Sequence, residues 1–594
     1  MGQDRLIIGG ASGYWGEAPH ATAQLLAHPG LNVLVYDYLA EITMSLLARA
    51  RSKDPAMGYA PDFVSAAMAP NLKAIAAKGV KVVSNAGGLN PAACADALRA
   101  EIAKQGLSLK VGVVTGDDLS ACAKDFADAK EMFSGEAFPT GKLVASVNAY
   151  LGAFPVAAAL DAGADIVVTG RIVDSAATLG ACIHHFGWSA SDLDRLAGGS
   201  LAGHILECGP QATGGNFTDW EDAGDIADIG YPIAEVGADG AFDVTKPEGT
   251  TGIVSFASVA EQMLYEIGDP RAYALPDVIC DFSEVEIAEA GADRVTVSAA
   301  KGRAPSGKLK VCATYVDGFR AGYLFQFNGR DAGRKARAFA EAGLKRTREK
   351  LRAMNAADFA DTCVEVTGGK SGEGAYEEVL VKTAVRHDDA KAVGLFLKET
   401  MGAGLATPPG LHAFTGAGRP KPSPVVRLFS FLADADAPEI TVAVEGEDIG
   451  YQNPTARAAP FHHAPGPPPH PAPTADGADL IEVPLEALAW ARSGDKGDKA
   501  NIGVIARDPA YLPFIWASLD EAAIRDALRG FAMGAIEKFP LPGTHSMNIL
   551  AHEALGGGGV ASLLNDAQGK GYAQMLLAAP IRVPRAIAPT GDRK

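Results

Sequence analysis

A glycine-rich turn follows the first apolar run of the chain, and it could bind a phosphate. The sequence GGASGYWG at residues 9–16 places Gly10, Ser12, Gly13 and Gly16 between a predicted strand and a predicted helix. Glycine permits a tight turn with close backbone approach, and amides at a helix N-terminus hold anions. The turn therefore predicts a site for CoA or another phosphate. The alternative is a purely structural turn.

The same turn could instead bind a dinucleotide. Asp37 ends the next predicted strand, where a dinucleotide fold places the carboxylate that binds ribose. Two features weigh against this. Trp15 puts a bulky side chain in the turn, and no tyrosine is followed four residues later by lysine, as in short-chain dehydrogenases. NAD(P) stays an alternative cofactor.

Polar side chains gather after the later predicted strands. If the strands are parallel, their carboxyl ends meet at one edge, where such sheets bind ligands. Arg171 could pair with a carboxylate or phosphate. The adjacent Asp117 and Asp118 predict a general acid or base, and His204 a proton shuttle. The remaining members of this set are Asn85, Asn90, Asn148, Asp174 and Asn216.

These side chains also have structural interpretations. Asp and Asn at strand-to-helix junctions are favoured helix N-caps, and a single His is about as often a core residue. The candidate catalytic residues are Asp117, Asp118, Asn148, Asp174 and His204. The candidate binding residues are Gly10, Ser12, Gly13, Gly16, Asn85, Asn90, Arg171, Asn216, Ser493, Asp495 and Lys496. No metal ligand is predicted.

A second polar turn lies near the C-terminus. The sequence RSGDKGDK at residues 492–499 contains Ser493, Asp495 and Lys496 and precedes a predicted strand. The sequence HSMN at residues 545–548 could face it across a small sheet. Together they could bind an anion or close over the main cleft, and the alternative is an exposed hairpin.

The elements that position these groups divide the chain into four parts. Short apolar runs alternate with helical patterns over residues 1–230, which predicts a doubly wound, mostly parallel Rossmann-like α/β core. Residues 231–453 show strand-like alternation and one long helix, which predicts an α+β part of the same body. Residues 454–478 are a proline-rich linker. Residues 479–594 show a β-β-α-β-α-β order that predicts a small ferredoxin-like domain.

Composition excludes several classes of protein. The chain has 594 residues, 48% of them hydrophobic, and a formal net charge of −18 without a long basic run. This argues against nucleic acid or an anionic membrane as the main partner. Seven scattered cysteines without a C-x-x-C pair, and no predicted signal peptide or membrane span, predict a cytoplasmic protein. G-x-S-x-G, H-E-x-x-H and P-loop motifs are absent from the sequence.

Four motifs together carry a family resemblance. They are IGGASGYWGE at residues 8–17, NAGGLNP at 85–91, TGRIVDS at 169–175 and SGDKGD at 493–498. The chain resembles the acyclic terpene utilisation protein A family over nearly its whole length. That family is named for bacterial gene clusters that degrade citronellol and geraniol through CoA thioesters, alongside a biotin carboxylase acting on geranyl-CoA. The resemblance implies catabolism of branched or terpenoid acids as acyl-CoA.

The leading hypothesis is an enzyme acting on a branched acyl-CoA or hydroxyacyl-CoA by lyase or hydratase chemistry. Arg171 and the glycine turn would bind anionic groups, and Asp117 or Asp118 with His204 would move protons. One alternative is an NAD(P)-dependent oxidoreductase that uses the glycine turn. Another is a non-catalytic component that associates with the acyl-CoA carboxylase of the pathway. A homo-oligomer is expected in each case.

Overall fold

The computed structural model describes residues 5–17, 19–370, 377–413, 418–454 and 479–589. Most of the predicted linker, residues 455–478, lies outside this part of the chain.

The first part of the chain alternates strands and helices. Its central strands are short and almost entirely apolar, such as VLVY and IVVT, because both of their faces are buried. The elements are β1 (Leu6–Gly10), α1 (Ala21–Leu26), β2 (Val33–Tyr36), α2 (Glu41–Arg51), α3 (Leu72–Lys78), β3 (Lys81–Ser84), α4 (Pro91–Lys104), β4 (Val111–Thr115), β5 (Val144–Ala149), α5 (Phe154–Asp161), β6 (Ile166–Thr169), α6 (Ala176–Phe186) and α7 (Leu193–Leu206).

The middle part of the chain is richer in strands. Its elements are β7 (Ile233–Val236), β8 (Phe242–Thr245), α8 (Phe256–Met263), β9 (Tyr273–Ala274), β10 (Ile279–Asp281), β11 (Glu286–Gly291), β12 (Arg294–Ser298), β13 (Lys301–Arg303), β14 (Lys308–Asn328), α9 (Ala332–Ala353), β15 (Asp361–Lys370), β16 (Glu377–His387), α10 (Ala390–Gly402), β17 (Leu411–His412), β18 (Ser423–Asp434), β19 (Thr441–Val444) and β20 (Glu447–Asp448).

The main sheet has eleven described strands in the order β11-β12-β8-β7-β1-β2-β3-β6-β4-β19-β20. Only the five central strands, from β1 to β4, pair in parallel. The outer strands pair antiparallel. Helices α1 to α4 pack on one face, and α5 to α8 on the other. The predicted α/β class holds, but the prediction of a doubly wound, mostly parallel body is not confirmed, because antiparallel strands predominate.

A second sheet is built around β14. This 21-residue strand pairs with β18 and β5 along its first half and with β16 and β17 along its second half. Strand β5, predicted to lie in the parallel sheet, pairs antiparallel with β14 instead. A short buried apolar run has the same pattern in either sheet, so the sequence did not distinguish them.

The C-terminal part forms a small domain with its own core. Its elements are β21 (Leu480–Pro484), β22 (Ala489–Lys496), β23 (Lys499–Ala506), α11 (Leu512–Ser518), α12 (Glu521–Ala527), β24 (Ile536–Leu541), β25 (Ser546–Ala551), α13 (Tyr572–Leu577) and β26 (Pro580–Pro584). Four strands form an antiparallel sheet in the order β22-β23-β25-β24, and β21 pairs with β26.

The small domain is joined to the body by buried polar contacts. Arg492 forms an ion pair with Glu261 of α8 at 2.9 Å, and their side chains are 3% and 0% exposed. Two buried asparagines, Asn501 and Asn548, bind the backbone of residues 264–268 through four hydrogen bonds of 2.7–2.9 Å. The domain is therefore held in one fixed orientation on the body.

Candidate functional site

Two polar side chains of the site, Asp37 and Asn85, lie directly after β2 and β3. Asn85 donates from Nδ2 to Asp37 Oδ1 at 2.5 Å and accepts from the amide of Tyr38 at 2.7 Å. Burial, with the neighbouring Asp174, holds the pKa of Asp37 well above its ordinary value, although Arg171 and Asn85 act in the opposite direction. Asp37 is therefore a carboxyl group that favours its protonated form.

Arg171 and Asp174 lie in the turn after β6. Arg171 donates to Asp174 Oδ1 at 2.5 Å and to the carbonyl of Ile172 at 2.9 Å. Its guanidinium stacks over the ring of Tyr150 at 4.1 Å, and Lys310 of β14 approaches the same ring at 4.6 Å. A buried arginine and a lysine thus share one aromatic ring.

Asp117, at the end of β4, lies beside Arg171. Its Oδ2 accepts from Asn148 Nδ2 at 2.8 Å and from the amide of Arg171 at 2.9 Å. Burial raises its pKa to about 6, although these hydrogen bonds oppose the shift. The adjacent Asp118 faces away. It is partly exposed, pairs with Arg51 at 3.4 Å and accepts from the amide of Ser120.

His204 and Glu207 form a buried pair at the end of α7. His204 Nδ1 lies 3.0 Å from Glu207 Oε1, and Nε2 lies 3.1 Å from the carbonyl of Met263. Burial lowers the pKa of His204, but Glu207 outweighs it, so the net shift is upward. Both nitrogens face oxygen atoms, and the raised pKa favours the doubly protonated ring. Its two nitrogens contact Glu207 and the carbonyl of Met263, and a role as proton shuttle stays a prediction.

Glu207 retains one free oxygen. Its side chain is 8% exposed, and Oε2 has no hydrogen-bond partner among the described residues. Burial raises the pKa of Glu207 above its ordinary value, and His204 and Lys496 oppose this shift without outweighing it. A buried carboxylate oxygen without a partner is rare, and this oxygen is an open acceptor of the cluster.

Lys496 comes from the small domain, at the end of β22. Burial alone would lower its pKa, but Tyr273, Glu266 and Asp174 raise it above the ordinary value. The turn that carries Lys496 is fixed by Asp498, whose Oδ1 accepts from the amides of Leu555 and Gly557 at 3.0 and 2.9 Å. The C-terminal domain therefore supplies a cation to a cluster built by the body.

The N-terminal glycine turn is filled by the chain itself. A Cβ on Gly10 would lie 2.7 Å from the carbonyl oxygen of Leu206, and one on Gly13 would lie 2.8 Å from that of Glu207. The amide of Gly13 donates to Glu17 Oε2 at 2.5 Å, where a phosphate would bind. Ser12 donates to the carbonyl of Tyr14, and Gly16 has a left-handed φ of +94°. A phosphate or dinucleotide here would have to displace Glu17, and its binding stays a prediction.

Three further candidates make structural contacts. Asn90 caps α4, accepting from the amide of Ala93, and also donates to the carbonyls of Pro55 and Met57. Asn216 is exposed and has a left-handed φ of +52°. Ser493 donates to the carbonyl of Gly569 and accepts from the amide of Ala573. Asp495 lies on the strand beside Lys496.

The cluster thus combines predicted and unpredicted residues. The structure brings together Asn85, Asp117, Asn148, Arg171, Asp174, His204 and Lys496. Sequence reasoning left out Glu207, Tyr150, Tyr273, Glu266 and Lys310, and considered Asp37 only for ribose. The sequence does indicate Glu207, since it follows His204 by three residues at the end of one helix. No local sequence pattern indicates the other residues, because they come from distant segments.

Among the described residues, no group of three or more His, Cys, Asp or Glu side chains is arranged to hold a metal. No described helix has the length and apolar character needed to span a membrane.

The fold and this cluster define a mixed α/β protein whose charged site is completed by a C-terminal domain. The model of the acyclic terpene utilisation family protein AtuA matches residues 6–444, and that of the AtuA ferredoxin-like domain matches residues 483–582. The chain belongs to the acyclic terpene utilisation AtuA family, and its small domain is ferredoxin-like. No curated protein and no solved structure matches it significantly.

Proposed function

We propose that this chain is an enzyme of acyclic terpene catabolism that acts on a branched hydroxyacyl-CoA or enoyl-CoA by general acid–base chemistry. The reaction would add or remove water, or cleave the hydroxyacyl chain. The family context supports a catabolic role. The chemistry rests on the charged cluster between the body and the small domain.

The observation that carries the proposal is the state of Glu207. One oxygen is held by His204 Nδ1, and the other is buried without a partner among the described residues. A general base needs a fixed carboxylate with one oxygen open to the substrate proton. His204 and Lys496 favour the ionised form of Glu207, which suits removal of a proton next to a thioester carbonyl.

Asp37 provides the complementary acid. Burial raises its pKa well above the ordinary value and so favours the protonated form, and its electrostatic neighbours include both Arg171 and Glu207. Burial raises the pKa of both carboxyl groups, and the two differ in their contacts: Asp37 is held by Asn85, whereas Glu207 keeps one buried oxygen without a partner among the described residues. Asp37 would give its proton to the leaving hydroxyl group as Glu207 takes one from carbon.

Arg171 and Lys496 would stabilise the negative charge that develops on the thioester oxygen. Arg171 is buried and Lys496 is half-buried, and such interactions are stronger away from water. Lys496 belongs to the small domain, so the proposed site requires both parts of the chain. A CoA thioester as substrate, a homo-oligomer and association with an acyl-CoA carboxylase stay predictions. NAD(P) use stays the alternative.

The test is turnover of branched 3-hydroxyacyl-CoA and 2-enoyl-CoA compounds by the purified full-length chain. Replacing Glu207 by Gln removes the base but keeps its shape. We expect kcat to fall by about 10²–10⁴-fold. Glu17→Gln is the matched control, because Glu17 is a hydrogen-bonded carboxylate that takes no part in the proposed reaction. Equal activity of the two variants, or no turnover by the unaltered chain, would overturn the proposal.

A further inference from the structure

A very small pocket adjoins the charged cluster. It is lined by Met44, Asn148, Tyr150, Arg171, Cys312 and Thr314. Its volume of about 10 Å³ is close to the smallest space that holds a single water-sized group. It cannot admit a carboxylate or a phosphate without rearrangement, but it can admit one oxygen atom.

The orientation of Asn148 is fixed by Asp117. The side chain of Asn148 is 2% exposed, and Nδ2 donates to Asp117 Oδ2 at 2.8 Å. Asp117 Oδ2 also accepts from the amide of Arg171, so this atom acts as an acceptor, and the nitrogen and not the oxygen of the Asn148 amide must face it. Asn148 Oδ1 is therefore directed elsewhere, and it has no hydrogen-bond partner among the described residues. Such a buried oxygen requires a donor.

The other walls limit what that donor can be. The guanidinium of Arg171 lines the same pocket and can only donate hydrogen bonds. Arg171 and Lys310 both lie against the ring of Tyr150, so the surroundings are positive and unfavourable for an ammonium group. A neutral group that donates to Asn148 and accepts from Arg171 meets both requirements. A hydroxyl oxygen is such a group.

We propose that this pocket binds one hydroxyl oxygen, either the hydroxyl group of the substrate or a water molecule. Asn148 Oδ1 accepts its proton, Arg171 donates to its lone pair, and Asp117 acts as a positioning residue for Asn148. The proposal rests on the proposed function and deepens it. Hydration, dehydration and cleavage of a hydroxyacyl thioester all involve one such oxygen.

The structural test uses crystals of the full-length chain at a resolution that shows ordered water. We expect a density peak within about 3.2 Å of Asn148 Oδ1. The peak should vanish in Asn148→Leu and persist in Ser146→Ala. The latter is a matched control on β5, because Ser146 bonds to Thr314 and does not line the pocket. A pocket without density in the unaltered protein would overturn the proposal.

Two CoA compounds distinguish the sources of the oxygen. With 3-hydroxyisovaleryl-CoA, density that continues from the acyl chain into the pocket identifies the substrate hydroxyl group. A separate peak with both this compound and isovaleryl-CoA identifies water. Either result supports the hydroxyl site. A thioester oxygen or an apolar carbon in the pocket contradicts it.

Binding measurements separate this proposal from the proposed function. Asn148→Leu should weaken binding of 3-hydroxyisovaleryl-CoA roughly tenfold to a hundredfold, because one buried hydrogen bond is lost. Binding of isovaleryl-CoA should be unchanged. An equal loss for both compounds would contradict a hydroxyl-specific role. If the unaltered chain converts neither hydroxyacyl nor enoyl compounds, the proposed function fails, and the density beside Asn148 still decides the nature of the pocket.

Discussion

The chain has two glycine-rich polar turns that look alike in sequence but differ in structure. In the turn at residues 9–16, Gly10 and Gly13 allow the backbone to contact the end of α7. Glu17 accepts a hydrogen bond from an amide of this turn. In the turn at residues 493–498, Gly497 rests against Gly558, and Lys496 reaches into the charged cluster. The first turn is filled by the protein, whereas the second contributes a side chain to the site.

The comparison shows what glycine does in both places. Each turn uses glycine so that one backbone can approach another closely. The segment approached by the first turn carries Glu207, and the second turn carries Lys496, and these two residues interact electrostatically. At both turns, glycine permits contact between segments that carry residues of the charged cluster, and phosphate binding at the first turn stays a prediction.

The largest effect is expected at the second turn. A Cβ on Gly558 would overlap the carbonyl oxygen of Gly497. Because that oxygen belongs to the backbone, the overlap can be relieved only by moving a chain segment, which costs free energy. We expect Gly558→Ala to lower the free energy of unfolding by about 3 kcal/mol and to reduce kcat with it. Gly559→Ala is the control, because its φ is also positive but no atom lies near its Cβ. Urea unfolding measures the stability of both variants. Equal losses of stability would contradict the explanation by backbone contact.

A smaller effect is expected at the first turn. In Gly13→Ala the new Cβ would meet the carbonyl oxygen of Glu207 and the Cα of Cys208 at 2.8 and 2.9 Å. The variant should lose about 2 kcal/mol of stability, and turnover should fall because Glu207 moves. A Cβ at Gly16 meets no such contact. The stability of Gly16→Ala should therefore fall only by the cost of the left-handed φ, about 1 kcal/mol. If Gly13→Ala keeps full turnover, the turn does not position Glu207.

The smallest effect concerns a third close approach, where Gly170 leaves room for Asp117. Burial raises the pKa of Asp117 to about 6, so the folded state favours the protonated form. The stability this contributes is present below about pH 4 and is lost as the pH rises through 6. Between pH 5 and 7.5 the free energy of unfolding of the unaltered chain should fall by about 1 kcal/mol more than that of the Asp117→Asn variant. The exposed Asp118→Asn should follow the unaltered chain, and a parallel profile for Asp117→Asn would refute the assignment.

The residues at strand ends could be predicted from the sequence, whereas the contacts between them could not. Residues at strand ends, such as Asn85, Asp117 and Arg171, could be listed because short apolar runs mark parallel strands. Their roles stay predictions. The contributions of Lys310 and Tyr150 could not be foreseen, since they depend on β5 and β14 pairing in a second sheet. Pairing between distant strands leaves no local pattern.

The small domain illustrates a second limit. The sequence after the glycine run at residues 556–559 predicts a helix from about residue 560, but α13 begins at Tyr572. The residues from Gly556 to Gly559 all have positive φ, which an α-helix cannot use. By contrast, the long helix predicted over residues 333–354 is α9, because its amphipathic pattern extends over many turns.

The ion pair between Glu261 and Arg492 has a consequence for synthesis of the chain. Its partners are 231 residues apart, so Glu261 leaves the ribosome long before Arg492 exists. At about 5–20 residues per second, the delay is on the order of 10–50 s. During that time helix α8 must keep its carboxylate in water, because an unpaired buried charge is strongly unfavourable. Final closure of the body is therefore a late event that awaits the last hundred residues.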